Sequence, residues 1–392
     1  MNMASGIELN TLESYSVYFL SIFLATFFAY LSDKFSYKNK NGNYKVNKVF
    51  YTLSFLSLFL PVGLRGFGVD YGTYLNMYEN VNLLGDNYFS QYTGTPEPFF
   101  AVLNYAIAHT LNNFQFLLMF SAFLSLFFIY LNLSRYVKKV SMAMYIWSYS
   151  FTYYLLLYGL VRMSIAIGIT AFAYKYLETR NFKKYLCWCI MGSLFHYSAL
   201  IMIPIYLLVN PVSINSSNDN EKQLDLFKFV SLIIFIIPIL FIIVQKFFPL
   251  LFGGFSWFSR YSTYFEIEGN WRVINNIVGM APLFIIILSW NKYFNILIYR
   301  SNLYIKLFLV IIGIGITSVV FPIHRVAYYL YPAACYLYAS VWKLPFEQSR
   351  RKYTIVLYNY LIFIFGLAWI YLSIFQSDLW KPYLIPYYLN LP

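Results

Sequence analysis

The chain has 392 residues, of which 60% are hydrophobic and 11% are charged. A soluble globular domain carries about 25% charged residues. The composition therefore excludes a soluble globular domain and predicts a polytopic membrane protein. The formal net charge of +13 does not indicate nucleic-acid binding, because the basic residues stand in short clusters between apolar stretches. Such clusters are typical of the loops that orient a membrane protein.

Apolar stretches of membrane length start near the N-terminus, at residues 14–31 and 49–64. Five lysines stand between them, which predicts a cytoplasmic loop and an N-terminus outside. The first residues carry no basic side chain, so we expect no cleaved signal peptide. A polar outer loop at 65–97 leads to an apolar stretch at 98–111. This stretch is too short to cross comfortably and predicts an interfacial or re-entrant helix.

The whole chain, residues 1–392, is expected to be a single all-α polytopic domain with about twelve transmembrane helices. Both termini are predicted to lie outside, with the aromatic tail along the outer interface. Residues 185–209 allow one long span or two short arms that meet at His196, and flanking charge favours two arms. Other predicted spans are 114–133, 140–158, 162–179, 227–245, 273–290, 304–321, 326–342 and 354–375. Predicted connections are a polar connector at 213–223, a second outer loop at 246–271 and basic inner loops at 292–306 and 343–352.

The stretch 159–210 is almost entirely apolar, yet it carries Arg162 near one end and His196 near its middle. A helix from Arg162 to Thr179 is about 27 Å long, and a basic turn then leads back towards His196. The two side chains should therefore lie at similar depth. An ionisable group at the bilayer centre costs roughly 3 kcal/mol, so this pair predicts a functional site.

Arginine is unevenly distributed over the predicted topology. Of 28 basic residues, seven fall on the outer side, and five of those seven are arginine. Guanidinium groups suit bidentate phosphate contacts, so arginines at outer helix ends predict a diphosphate held at headgroup level. Taken singly, each arginine could instead be a snorkelling or ion-paired residue. The candidate anion-binding residues are Arg65, Arg162, Arg272, His324 and Arg325.

Carboxylates in the first outer loop stand near these cations in sequence. Asp70 follows Arg65 by five residues, and Glu97 opens the short apolar helix. Either could orient or deprotonate a substrate hydroxyl. A salt bridge for Asp70 and a helix N-terminal charge for Glu97 are equally good interpretations. The other candidate bases are His196 and His324.

Aromatic residues make up 23% of the chain, and most are expected in the core and at the membrane interface. A few in the outer loops, Tyr74 among them, could stack on sugar rings. The three cysteines lie in apolar stretches and are interpreted as packed residues. No usual metal-ligand spacing is present in the sequence, so neither a metal nor a cofactor is expected.

Four short motifs together resemble a known family. LRGFGVDYGTY resembles L-R-x-x-G-x-D-Y-x-x-Y, GLVRMSIAIGI resembles an R-Q-x-x-A helix start, SLFHYSALIMIP resembles F-H-x-S-A-L, and HRVAYYL resembles an R-x-x-x-Y-F element. In this order they are similar to the EpsG/Wzy-type polysaccharide polymerases, close to the O-antigen polymerases of Gram-negative bacteria. The resemblance covers residues 65–329. Met163 departs from it, because glutamine is usual at that position.

The resemblance implies a metal-independent glycosyltransferase of the bacterial inner membrane that acts at the periplasmic face. It would join oligosaccharide repeat units carried on undecaprenyl diphosphate, and the loops at 65–97 and 246–271 would be periplasmic. Its partners would be the lipid-linked oligosaccharide, membrane lipid and a possible chain-length regulator protein. The implied substrate-binding residues are Arg65, Arg162, Arg272, His324, Arg325 and Tyr74. The implied catalytic residues are His196, Glu97 and Asp70, with His196 or Glu97 as the base.

Two other functions remain open from the sequence. A lipid-linked oligosaccharide flippase would also have about twelve spans and internal cations, but it would be expected to show two related halves. A membrane O-acetyltransferase would need a cytoplasmic acyl-donor site, whereas the ionisable residues here gather at the outer side.

Overall fold

The computed structural model describes residues 6–91, 97–209, 239, 281–283, 291–318, 324–343, 349–375 and 384–392. This part of the chain is helical apart from two short antiparallel strand pairs, so the predicted all-α class is confirmed. The chain forms two compact units. The first comprises Met1–Met202 with Tyr338–Pro392, and the second comprises Ile203–Leu337.

Long apolar helices dominate the chain up to residue 209. The helices there are α1 (Thr11–Lys34), α2 (Lys48–Gly63), α3 (Tyr71–Leu84), α4 (Tyr88–Gln91), α5 (Pro98–Thr110), α6 (Phe114–Leu133), α7 (Met142–Thr152), α8 (Val161–Glu178), α9 (Phe182–Ser193) and α10 (Met202–Val209). Among the described residues, two helical segments are long and apolar enough to cross a bilayer, Thr11–Lys34 and Phe114–Tyr136. The count of about twelve crossings therefore stays a prediction.

Helix α8 packs closely against both α6 and α9 in the first unit. Gly168 of α8 lies so near α6 that an added Cβ would stand 2.6 Å from Ser125 O. On the other side of α8, a Cβ on Gly192 of α9 would stand 3.2 Å from the Thr170 side chain. Small residues at these two points let the backbones approach closely, which is how apolar helices associate in a membrane.

Two predicted spans are interrupted in the structure. The stretch 140–158 is divided into α7 and a 3₁₀ helix at Tyr154–Tyr158. The stretch 185–209 is divided into α9, a 3₁₀ helix at Tyr197–Ile201 and α10, with extended backbone at His196 between them. The second break agrees with the two-arm interpretation, and it leaves His196 outside any regular helix.

The predicted outer loop at 65–97 is largely folded. It contains α3, a 3₁₀ helix at Gly85–Asn87 and α4. α3 packs on α5, where Asn104 Nδ2 donates to Met77 O at 2.9 Å. Buried aromatic contacts then seat this pair on the start of α6, with the rings of Tyr71 and Phe114 5.2 Å apart.

The two ends of the described chain meet beside Arg65. Strand β1 (Ile7–Glu8) pairs antiparallel with the C-terminal strand, Tyr388–Leu389. The other side of the C-terminal strand bonds to the segment 64–66. Gly66 N donates to Tyr388 O at 2.6 Å, and Asn390 N donates to Leu64 O at 2.8 Å. The tail was expected to lie along the outer interface, and this stays a prediction. The tail inserts between two segments because each offers unpaired backbone groups.

The end of the first unit that holds these strands is called here the Arg65 end. α1 starts there and runs 24 residues, about 36 Å, to the opposite end. At the opposite end, β2 (Tyr37–Lys38) and β3 (Tyr44–Lys45) form a short hairpin between α1 and α2. The C-terminal strand, Tyr388–Leu389, is accordingly β4.

The later helices are α11 (Asn291–Thr317), α12 (His324–Ala327), α13 (Tyr331–Trp342) and α14 (Ser349–Phe375). In the second unit, the rings of Tyr304 and Tyr336 stack at 3.7 Å. The prediction of a basic loop at 292–306 was wrong, because α11 starts at Asn291 and runs through this segment. The segment contains neither proline nor glycine that would end a helix. The predicted elements 213–223, 227–245, 246–271 and 273–290 lie wholly or mostly outside the described residues.

Candidate active site

One buried carboxylate joins a guanidinium and an imidazole at the Arg65 end. Glu97 Oε2 accepts from Arg162 Nη1 at 2.5 Å, and Glu97 Oε1 lies 2.8 Å from His196 Nδ1. The Glu97 side chain is 1% exposed, whereas those of Arg162 and His196 are 19% and 23% exposed. The carboxylate is therefore enclosed while both of its partners keep access from outside.

Local sequence explains the position of Glu97. It precedes Pro98, and a residue before proline is driven out of the helical region, here to φ −86° and ψ 115°. The Glu97 side chain does not cap α5. In the first turn of α5, Phe99 N instead donates to Leu194 O at 3.0 Å, which holds the start of α5 against the end of α9.

The helix pair α8–α9 brings Arg162 and His196 together. Arg162 lies in the first turn of α8, and His196 follows α9 with φ −160° and ψ 115°. α8 and α9 are packed neighbours joined by a short turn at 179–181, so the start of one lies near the end of the other. The predicted approach of the two residues is found, and Glu97 is the group that connects them.

Aromatic rings enclose the guanidinium of Arg162. Its Cζ lies 5.8 Å from the centre of the Tyr74 ring and 5.9 Å from that of Phe100. The Arg162 backbone N also donates to Tyr74 Oη at 3.4 Å. Such cation–π contacts stabilise a guanidinium held away from water. Burial raises the pKa of Tyr74, so its phenol stays neutral near pH 7.

Arg65 is buried near the same helix end. It is 3% exposed, its Nη1 donates to Val62 O at 2.6 Å, and its Cζ lies 5.9 Å from the Tyr158 ring. It lines a small cavity with Ser121 and with Ser164 of α8. The free volume of about 10 Å³ is close to what one water molecule needs. Arg65 and Arg162 thus occupy one region.

The charged groups in the described part of the site are two arginines, Arg65 and Arg162, and two acids, Glu97 and Asp70. Burial raises the pKa of Glu97. The hydrogen bond from His196 and the charge of Arg162 together lower it by more than burial raises it, so the net shift of the pKa is downward. Glu97 is therefore ionised at neutral pH and offsets one of two guanidinium groups. Among the described residues, the Nε atoms of both Arg65 and Arg162 lack a hydrogen-bond partner. Both atoms are buried, and the Arg162 side chain is the more exposed of the two, at 19%.

Of the other predicted site residues, Asp70 and Arg325 are described in full, His324 only in its backbone, and Arg272 not at all. Asp70 directly precedes α3, is half-buried, and its charge acts on Tyr74. Arg325 is exposed in the second unit, and only the backbone of His324 is described, at the start of α12. Arg272 lies outside the described residues. Arg65 lines a cavity with residues next to Arg162, and the predicted convergence of Arg65, Arg162 and Arg325 on one ligand stays a prediction.

Sequence reasoning missed two aromatic neighbours of the arginines, Phe100 and Tyr158. Tyr158 stands four residues before Arg162, and Phe100 stands three residues after Glu97. An aromatic side chain so close to a candidate charged residue was the available signal, but it is weak in a chain with 81 tyrosines and phenylalanines. Within the described ranges, no group of three or more His, Cys, Asp or Glu residues could hold a metal ion.

Fold and site together define a helical membrane protein with an Arg–Glu–His site at one end of its helices. The chain belongs to the EpsG family, whose sequence profile matches residues 48–385. This family includes Wzy-type polysaccharide polymerases, so the resemblance read from the four motifs is confirmed. Neither the curated proteins nor the solved structures contain a match to the chain. The family match spans every residue of the candidate site.

Proposed function

We propose that the chain is an O-antigen polymerase of the bacterial inner membrane. It transfers a growing glycan from undecaprenyl diphosphate to the terminal sugar hydroxyl of a second lipid-linked unit at the periplasmic face. The observation that carries the proposal is the enclosed Glu97, which holds a guanidinium at 2.5 Å and an imidazole at 2.8 Å. A cation for the leaving diphosphate beside a base for the attacking hydroxyl is the pair of groups that such a transfer needs.

Two guanidinium groups near one helix end support a diphosphate ligand. Arg162 keeps one Nη on Glu97, while its Nε and that of Arg65 have no partner among the described residues. As the bond between the anomeric carbon and the diphosphate oxygen breaks, its electron pair moves to the diphosphate. Fixed guanidinium groups then stabilise the transition state more than the bound substrate.

The geometry favours His196 over Glu97 as the base. Glu97 is 1% exposed and both of its oxygens are engaged, so it does not reach a substrate hydroxyl. By accepting from Nδ1–H, it leaves His196 Nε2 with a lone pair, and Nε2 has no hydrogen-bond partner within the described residues. Nε2 would take the hydroxyl proton as that oxygen attacks the anomeric carbon. Glu97 then acts by orienting His196 and by stabilising the imidazolium.

The test uses a strain that lacks this chain and is complemented with single variants. We expect His196→Gln and Arg162→Ala to reach the membrane but to leave lipopolysaccharide with one repeat unit. The matched controls are His109→Gln, whose ring stacks on Tyr105 at 3.9 Å, and Arg135→Ala, which removes an Arg–Glu pair at another position. Both controls should make long chains.

Each contrary outcome has a distinct meaning. Long chains in His196→Gln or Arg162→Ala would remove that residue from the mechanism. Complete loss of O-antigen in the strain without the chain would indicate a flippase, and normal long chains without acetyl groups would indicate an O-acetyltransferase. Purified protein and a lipid-linked repeat unit should also release undecaprenyl diphosphate in step with chain growth.

A further inference from the structure

The end of the first unit opposite Arg65 carries a dense group of lysines. They lie on the segment 34–48, called here the lysine hairpin, which contains β2 and β3 and connects α1 to α2. Tyr37 pairs with Lys45, and Lys38 pairs with Tyr44. All five lysines of the hairpin are exposed, and they are Lys34, Lys38, Lys40, Lys45 and Lys48.

Exposed aromatic rings accompany these lysines. Phe35 is 51% exposed, Tyr37 is 48% exposed and Tyr44 is 43% exposed. The ammonium of Lys38 lies 5.3 Å from the Tyr44 ring, and that of Lys34 lies 5.7 Å from the Phe35 ring. Amphipathic rings next to long basic side chains suit the headgroup layer of a membrane, where the ring and the stem meet apolar material and the ammonium meets phosphate.

No described acidic side chain neutralises the lysines of the hairpin. Asp33, the nearest acid in sequence, is already engaged, because its Oδ2 pairs with Lys343 Nζ at 2.8 Å and its Oδ1 accepts from Lys138 N at 3.2 Å. None of the five hairpin lysines forms an ion pair with another described residue. Lys138 and Lys343 add further positive charge at this end.

We propose that the lysine hairpin binds the headgroups of anionic phospholipids in the leaflet at this end of the first unit. α1, a helix of membrane length, ends at Lys34, and α2 starts at Lys48, so both ends of the hairpin are tied to apolar helices. This tether favours lipid over a soluble acidic partner. Each lysine near an anionic surface raises the local affinity by about fivefold.

The test places a probe on the hairpin tip of the full-length protein in lipid nanodiscs. Asn41 is exposed in the tip, and Cys187 is the exposed cysteine among the three, so Asn41→Cys in a Cys187→Ser background accepts a fluorophore selectively. Quenching by brominated phosphatidylglycerol is compared with quenching by brominated phosphatidylcholine at equal mole fraction. We expect the anionic lipid to quench at least about fivefold more.

Two triple variants separate specific binding from general charge. Lys38→Gln, Lys40→Gln and Lys45→Gln together should bring the quenching ratio to about one. The matched control, Lys139→Gln, Lys183→Gln and Lys184→Gln, removes three exposed positive charges of the first unit that lie outside the hairpin and should keep the preference. Equal quenching by both lipids in the parent protein, or equal loss in the control, would overturn the proposal.

Discussion

Replacing Glu97 by glutamine tests the centre of the proposed site with little change in volume. Glu97 accepts one hydrogen bond through each oxygen, from Arg162 and from His196. An amide offers one oxygen and one NH₂ group, so with its oxygen on Arg162 its NH₂ would donate to His196 Nδ1 and hold the imidazole in the tautomer that carries the proton on Nε2. Removing one partner of a buried ion pair costs about 3–5 kcal/mol. We expect about 3 kcal/mol here, because Arg162 is 19% exposed and water can still reach it.

Activity should fall as well as stability in Glu97→Gln. An imidazole without its orienting carboxylate loses much of its value as a general base, which contributes roughly 10²–10⁴-fold to a rate. We therefore expect turnover of a lipid-linked repeat unit to fall by about 10²-fold or more. The assay is release of undecaprenyl diphosphate by purified protein, with apparent unfolding temperature measured in the same detergent.

Glu178→Gln provides a matched control for this substitution. Glu178 also accepts from an arginine, Arg135 Nη2 at 2.8 Å, and from Tyr136 Oη at 2.6 Å, but its side chain is 28% exposed. Exposed pairs of this kind are worth about 0–1 kcal/mol. Turnover within threefold of the parent in Glu97→Gln, or an equal loss in both variants, would refute the reasoning from burial.

Three further predictions follow from the first unit. The lowered pKa of Glu97 stabilises the fold fully above the unfolded value of about 4.3, and this stability is lost as pH falls through the lower folded pKa. Acid unfolding should therefore depend less on pH in Glu97→Gln than in the parent. Tyr387→Phe removes the hydroxyl that donates to Pro61 O at 2.7 Å and should lower the free energy of unfolding by about 1 kcal/mol. Chemical denaturation measures this change, and an unchanged free energy of unfolding would contradict the prediction. Gly168→Ala should destabilise by about 1–3 kcal/mol, because its Cβ would clash with Ser125 O, and unchanged thermal stability would contradict the packing of α6 on α8.

Much of the local architecture was predictable because apolar length and terminal residues act locally. The span predicted at 114–133 coincides with α6, and the short helix predicted at 98–111 coincides with α5 to within one residue. Charge clusters were a poorer guide. They predicted a loop at 292–306, where helix α11 continues because nothing in that segment interrupts the backbone hydrogen bonds.

The site was predictable in part for the same reason. Arg162 and His196 were expected at one depth, because a helix, a turn and a returning helix fix the heights of their ends. Glu97 could not be placed between them in advance. It stands 65 residues from Arg162 and 99 from His196, and no periodicity links positions so far apart.

The sequence by itself determined that this chain is a helical membrane protein of the EpsG family. Tertiary structure decided which of the candidate groups meet. Seating α5 against the end of α9 enclosed Glu97 between Arg162 and His196, and insertion of the tail beside Arg65 joined the two termini. Composition and spacing act along the chain, whereas a buried carboxylate takes its partners from whichever helix ends pack around it.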